Sequence, residues 1–192
     1  MGGYNTFVKI PKERLGVLIG TEGNVKETIE EKLGVSLQID SQSGDVTITL
    51  KRDAKDPSYI FTAKDMVTAI GRGFSPEHAF RLLDSEDEIL EVIDLRDIFG
   101  RSQSDMSRVK GRIIGSEGKT RRIIEEVSGA VISVYGHTVS IIGNVEQAEA
   151  AREAVKLLIK GSQHRTVYKF LQKKRRELKM KSLELWESET PR

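Results

Sequence analysis

Two stretches of this chain alternate apolar and polar residues, and each follows apolar residues at helical spacing. Phe7, Val8 and Ile10 before Pro11 predict a first strand, and residues 12–19 a short helix. Residues 24–33 predict a second helix, with Val25, Ile29 and Leu33 along one face and Gly34 closing it. Val35, Leu37 and Ile39 then alternate with polar residues, Ser43-Gly44-Asp45 turns the chain, and Val46, Ile48 and Leu50 return between Thr47 and Thr49. A helix over about residues 58–71 completes the block.

Ser75-Pro76-Glu77 reads as a helix start with serine as cap and proline at the first helical position. Ala79, Phe80, Leu82 and Leu83 in that helix are expected to pack on a domain, and the acidic residues 84–88 to form an exposed hinge. The first order of elements then recurs. Residues 89–95 predict a strand, Ser104 or Asp105 caps a helix, and Ile123, Ile124 and Val127 face a new core. Val131, Ile132 and Val134, a turn at Gly136, and Val139 and Ile141 predict a second hairpin. Ala148, Ala151, Val155, Leu158 and Ile159 mark its closing helix. From residue 163 to 186, Leu171, Leu178 and Leu185 recur at seven-residue spacing among Lys173, Lys174, Arg175, Arg176, Lys179 and Lys181, which predicts a basic amphipathic helix. Tyr168, Phe170 and Trp186 there are either core residues or base-stacking platforms.

The two blocks share a loop, Gly20-Thr21-Glu22-Gly23 and Gly115-Ser116-Glu117-Gly118, 95 residues apart. The same offset pairs Gly16 with Gly111, Ile19 with Ile114, Ile29 with Ile124, Glu30 with Glu125 and Gly34 with Gly129. A repeat of this length is one small domain, so the chain is a tandem of two related domains. In each copy a helix must stop and the next start at once, which calls for glycines that accept positive φ. The free N–H groups and positive dipole end of the following helix then point at the loop, where phosphate suits them best.

An apolar helix ending in Ile-Gly-x-x-Gly, then a helix and two strands, resembles the KH family, and the stretch from Gly111 to Thr120 resembles it most closely. The resemblance implies an α+β fold of two type I KH domains, each β-α-α-β-β-α with a three-stranded antiparallel sheet packed on helices. It also implies that the loop clamps about four nucleotides of single-stranded RNA while bases lie in an apolar groove. On that basis Gly115, Ser116, Glu117 and Gly118 are expected to seat phosphates, Lys110, Arg112, Lys119, Arg121 and Arg122 to neutralise them, and Ile113, Ile114 and Ile132 to line the groove. Gly20, Thr21, Glu22, Gly23 and Lys26 are the corresponding candidates in the first domain. Glycines serving only the turn of a helical hairpin are the plainer alternative.

Charge separates the repeats. The 192 residues carry a net charge of only +2, too little to argue for nucleic acid by itself. Residues 108–122, however, carry six cations against Glu117 alone, a net of +5, whereas residues 13–27 carry Arg14 and Lys26 against Glu13, Glu22 and Glu27, a net of −1. The second domain is therefore expected to carry most of the RNA affinity. Arg121 and Arg122 at a helix start oppose the usual preference for acids, as an approaching anion would explain. Arg96, Arg101 and Arg108 either extend that track or face water.

Other chemistries find little support. Zero cysteines exclude disulfides and thiolate zinc sites and fit a cytoplasmic address. His78, His137 and His164 have no metal-like spacing, so no metal or cofactor is expected, and no nucleophile or acid-base pair stands out. Gly118-Lys119-Thr120 ends like a P-loop, but that motif needs glycine where Ile113 stands. No run approaches the ~20 apolar residues of a membrane span, and the Met1-Gly2 with Thr6 myristoylation pattern is set aside.

The expected organisation is a KH domain over 1–74, a linker with a short helix over 75–88, a second KH domain over 89–162 and a basic helix with its tail over 163–192. Over nearly its whole length the chain resembles the archaeal form of the KH ribosome-assembly factor known as partner of Nob one. That resemblance implies a non-catalytic monomer that binds near the 3′ end of 16S ribosomal RNA and contacts the Nob endonuclease and the α subunit of translation initiation factor two. The alternatives are a messenger-RNA or exosome accessory protein, or a scaffold docking the initiation factor.

Overall fold

The computed structural model describes residues 4–85 and 87–189, with side chains through residue 180. The chain divides into two compact units, Met1–Leu90 and Glu91–Arg192. The first unit runs β1 (Asn5–Lys9), α1 (Lys12–Ile19), α2 (Asn24–Leu33), β2 (Val35–Ile39), β3 (Asp45–Leu50), α3 (Tyr59–Gly71) and α4 (Pro76–Asp84). Its strands are ordered β1-β3-β2, and both neighbouring pairs are antiparallel. β4 (Glu88–Asp94) starts in the last residues of the first unit and leads into the second, which continues with a short α5 (Arg96–Phe99), α6 (Gln103–Ile114), α7 (Lys119–Ser128), β5 (Val131–Tyr135), β6 (Thr138–Asn144), α8 (Val145–Ile159) and α9 (His164–Glu189), with strand order β4-β6-β5. Both units carry the expected β-α-α-β-β-α order, so these are two tandem type I KH folds.

Each core repeats the other. Leu18, Ile29, Leu37 and Ile48 are buried in the first unit, and Ile113, Ile124, Ile132 and Ile141 in the second. Successive strand residues point to opposite faces, which sends Leu37 and Ile48 together into the core as partners across the β2–β3 pair. Fully burying side chains of this size contributes about 1.5–3 kcal/mol each, so these repeated positions are what hold each unit together.

Several boundaries differ from expectation, each for a local reason. Ser102, rather than Ser104 or Asp105, caps α6: its hydroxyl accepts from the Asp105 amide at 3.4 Å and donates to the Asp105 carboxylate at 2.6 Å. Between β4 and α6 lies the short α5, which no apolar period announced. Residues 75–84 form α4 with its cap and lie within the first unit. Ser75 caps α4, Ala79 and Leu82 are buried, and α4 packs on α3. Glu88, expected to be exposed, instead pairs with Arg81 at 2.9 Å and keeps only 14% of its side chain accessible. The terminal helix packs on α7 and α8, with Val167 and Leu171 buried and Leu178 half-exposed. The Met1-Gly2 pattern, Glu86 of the acidic hinge and the side chains of Lys181, Leu185 and Trp186 lie outside the described residues.

Candidate nucleic-acid interface

The two loops have one backbone conformation. Gly20 and Gly115 take φ 77 and 73 with ψ 177 in both, Glu22 and Glu117 take φ 54 and 51, and Gly23 and Gly118 take φ 88 and 76. A one-turn 3-10 segment, Thr21–Gly23 and Ser116–Gly118, joins the helices each time. Gly115 ends α6 by donating its amide to Gly111 O at 2.8 Å, just as Gly20 donates to Gly16 O at 2.9 Å. The first glycine of each loop is also sterically required. A Cβ at Gly20 would collide with Asn24 and Val25, and one at Gly115 with Thr120.

After the loop the two units diverge. Neither α2 nor α7 has a side chain capping its first amides. In α2 the acid Glu27 lies in the first turn. In α7 the first turn holds no acid, and Arg122 stands where the repeat places Glu27. Arg122 donates to the Glu117 carbonyl at 2.9 Å, bracing the loop from outside while the rest of its guanidinium remains exposed. Lys119 is exposed at the helix start. Arg121 lies 3.8 Å from the Glu125 carboxylate, one turn along, as Lys26 lies 3.9 Å from Glu30. Ser116 and Glu117 are exposed at the tip, as are Thr21 and Glu22 in the first loop. The dipole end of α7 therefore faces solvent with cations around it, an arrangement that attracts anions.

Other candidates are placed differently. Lys110 is half-exposed and donates to the Gly136 carbonyl at 2.9 Å, so its ammonium sits at the hairpin turn with donors to spare. Ile114, 36% exposed, lies one turn beyond Lys110 on the same face of α6. Three expectations need correction. Arg112 turns inward and donates to the Leu158 carbonyl at 3.4 Å and the Ser162 carbonyl at 2.5 Å, closing the C-terminal end of α8. Ile113 is fully buried because its spacing from Met106 and Val109 puts it on the core face of α6. Ile132 is 3% exposed and belongs to the core beneath the hairpin. Of the apolar candidates, Ile114 alone presents surface.

Arg96 and Arg108 are engaged by Asp94 and Asp105 respectively, each at 2.7 Å, whereas Arg101 is exposed. Among the described residues no group of histidine and carboxylate side chains is placed to hold a metal, and no helix is long and apolar enough to cross a membrane.

Two features of the site escaped the sequence reading. Glu30 accepts from the Leu37 amide at 2.6 Å and Glu125 from the Ile132 amide at 2.8 Å, so in each unit a carboxylate ties the second helix of the loop motif to the edge strand. The repeat itself carried the signal, since Glu30 and Glu125 match at the same offset as the glycines. The other is the bond of 3.1 Å between Thr120 Oγ1 and the Tyr168 hydroxyl, which fastens α9 to the base of the second loop.

Known proteins agree with this architecture. A family described as eukaryotic type KH-domain, type I, the second domain of PNO1, matches residues 89–176, and the Krr1 KH1 domain matches residues 7–85. A KH domain-containing protein of Methanocaldococcus jannaschii is 50% identical over 96% of this chain and 80% of its own length. The pre-rRNA-processing protein pno1 of Schizosaccharomyces pombe is 29% identical over 84% of this chain and 67% of its own. The Dim2p structure in a complex of a/eIF2alpha, aDim2p and rRNA from Pyrococcus horikoshii superposes with a TM-score of 0.85 at 49% identity, covering 91% of this chain and 95% of that one. The chain belongs to the Pno1/Dim2 family of tandem KH-domain proteins.

Proposed function

We propose that this protein binds single-stranded RNA through the second of its two loops and acts, without catalysis, in maturation of the small ribosomal subunit near the 3′ end of its 16S RNA. The observation that carries this reading is the 115–118 loop: an exposed Gly-x-x-Gly bend, an uncapped ten-residue helix behind it, and Lys119, Arg121 and Arg122 in that helix's first turn. Phosphate oxygens fit the amides, and the cations supply the salt-dependent part of the affinity. Ile114 offers the apolar contact for a base, with Lys110 beside it. Ser116 is the loop's exposed hydroxyl and Glu117 its left-handed hinge.

The relatives support the ribosomal context. The fission-yeast relative is named for pre-rRNA processing, and Dim2p of P. horikoshii was crystallised with rRNA and a/eIF2alpha. The α subunit of initiation factor two is thus the proposed protein partner, and the family resemblance adds the Nob endonuclease. We place the protein in the cytoplasm as a monomer. Crosslinking RNA to it in cells and sequencing the bound fragment tests the reading. Fragments from the 3′ end of 16S RNA are expected; fragments spread over messenger RNAs would point to a general regulator.

A second reading applies to the first unit. Its 20–23 loop has the same backbone but Glu27 where the second has Arg122, and Lys26 is its one cation near the helix start. That loop is accordingly assigned a protein-docking role. Capture of the initiation factor should then survive nuclease treatment.

A further inference from the structure

We propose that the RNA track does not end at the loop but continues along the outer face of α9. The inference rests on the loop reading above and extends it to a surface formed by another element. Val167 and Leu171 bury one side of α9 against α7 and α8. Arg165, Lys169, Lys173 and Arg176 recur at intervals of four, four and three residues on another side, where with Tyr168 and Gln172 they line an open groove. Residues 164–180 hold seven cations against Glu177 alone, a net of +6, more than the loop region itself carries.

Charge alone would describe any solvated helix; continuity with the loop distinguishes this one. Tyr168 lines the groove and bonds through its hydroxyl to Thr120, the buried residue against which a Cβ on Gly115 would collide. His164, one turn earlier, lies 2.9 Å from the Arg112 carbonyl near the end of α6. The N-terminal turn of α9 is thus fixed at the base of the phosphate seat, and the row of cations beside the groove leads away from it for about 16 Å at 1.5 Å per residue. The acids that pair with this helix engage it at Lys173 by Glu177 and at Lys174 by Glu153, at 3.7 and 3.8 Å. The first is an exposed i,i+4 pair and the second a partly exposed pair to α8, and solvent-screened pairs of this length are weak enough for phosphate to displace. A single strand leaving the loop meets a row of cations, the ribose-phosphate backbone being the polyanion that matches their spacing along one line.

The test uses the full chain with Arg165, Lys169, Lys173 and Arg176 replaced together by Gln, all on an outward face, and two single-stranded RNAs. One is about five nucleotides long, enough to fill a KH cleft, and the other about twelve. The proposal expects the longer RNA to lose about tenfold or more in affinity and its salt slope to fall by about 0.7 for each phosphate contact removed, while the shorter RNA binds as before. Equal losses for both lengths, or an unchanged twelve-nucleotide affinity and slope, would overturn it, as would the same face taking up phosphatidylserine vesicles in place of RNA. Failure of the unmodified protein to bind the short RNA would instead defeat the loop reading, so the two failures are distinguishable.

Discussion

Glu22 and Glu117, 95 positions apart, are the two non-glycine residues that the described chain holds at positive φ, 54° and 51°. A side chain in the left-handed region costs about 1–2 kcal/mol, and both units bear that cost at the same point of the same loop. Each unit therefore keeps the same bend, and they differ in what surrounds it. Arg122 and the acid-free first turn of α7 stand against Glu27 in α2.

The flanking glycines should not be equivalent. Gly115→Ala must bring a Cβ into Thr120 at an extended ψ with positive φ, and is expected to destabilise the second unit by about 2 kcal/mol or more. Gly118→Ala meets nothing within 4 Å and should cost only about 1 kcal/mol for its left-handed φ. Chemical denaturation of the two variants checks the order, and equal losses would show that Thr120 yields.

Arg112 and Lys119 should separate stability from binding. Arg112→Gln removes charged donors from the Leu158 and Ser162 carbonyls and should cost about 1.5–3 kcal/mol while leaving the salt slope of RNA binding unchanged. Lys119→Gln should leave the unfolding midpoint in place and lower that slope by about 0.7. A midpoint shift in the second variant, or a slope change in the first, would reverse the assignments.

Neighbouring isoleucines divide in the same way. Ile113→Ala should destabilise by about 2–5 kcal/mol, because it opens a cavity in a closed core. Ile114→Ala should change stability by less than about 1 kcal/mol yet weaken RNA binding. Urea titration with RNA titration of the folded protein reads both effects.

Asp94 gives the second unit a defined response to acid. Hydrogen bonds from Arg96, with the charge of His137 nearby, hold its carboxyl below the usual aspartate range. The charged form is thus favoured by folding, and the stabilisation is present above about pH 4 and lost as pH falls through the lowered folded value. The pair is partly exposed, so Asp94→Asn should cost at most about 1 kcal/mol at neutral pH and progressively less at an acid pH below the ordinary aspartate range. Denaturation at the two pH values checks this; an equal cost at both would assign Asp94 a role independent of charge.

Much of the fold was legible because its punctuation is local. Glycines at 20, 23 and 34 set the limits of α1 and α2, and the alternation from Val35 to Leu50 set the hairpin. Ser102, Ser104 and Asp105 all carry cap chemistry, so the start of α6 depended on which hydroxyl met which amide. Arg112 could not be assigned locally, since the carbonyls it meets lie 46 and 50 residues downstream. Arg14 does the same in the first unit, donating to Ile70 and Phe74, but from a position that the 95-residue offset does not match to Arg112. Ile113, by contrast, was readable from its spacing to Met106 and Val109, had helix periodicity been weighed above nearness to the loop.

The most direct test of the central claim is a titration of single-stranded RNA into two variants, one with Ser116 and Glu117 both replaced by Asp and the other with the same change at Thr21 and Glu22. The second-loop variant should lose at least about tenfold in affinity, its added carboxylate standing where phosphate sits, and the first-loop variant should stay within about threefold of the unmodified protein. Unchanged affinity in the second-loop variant, or a larger loss in the first, would contradict the account.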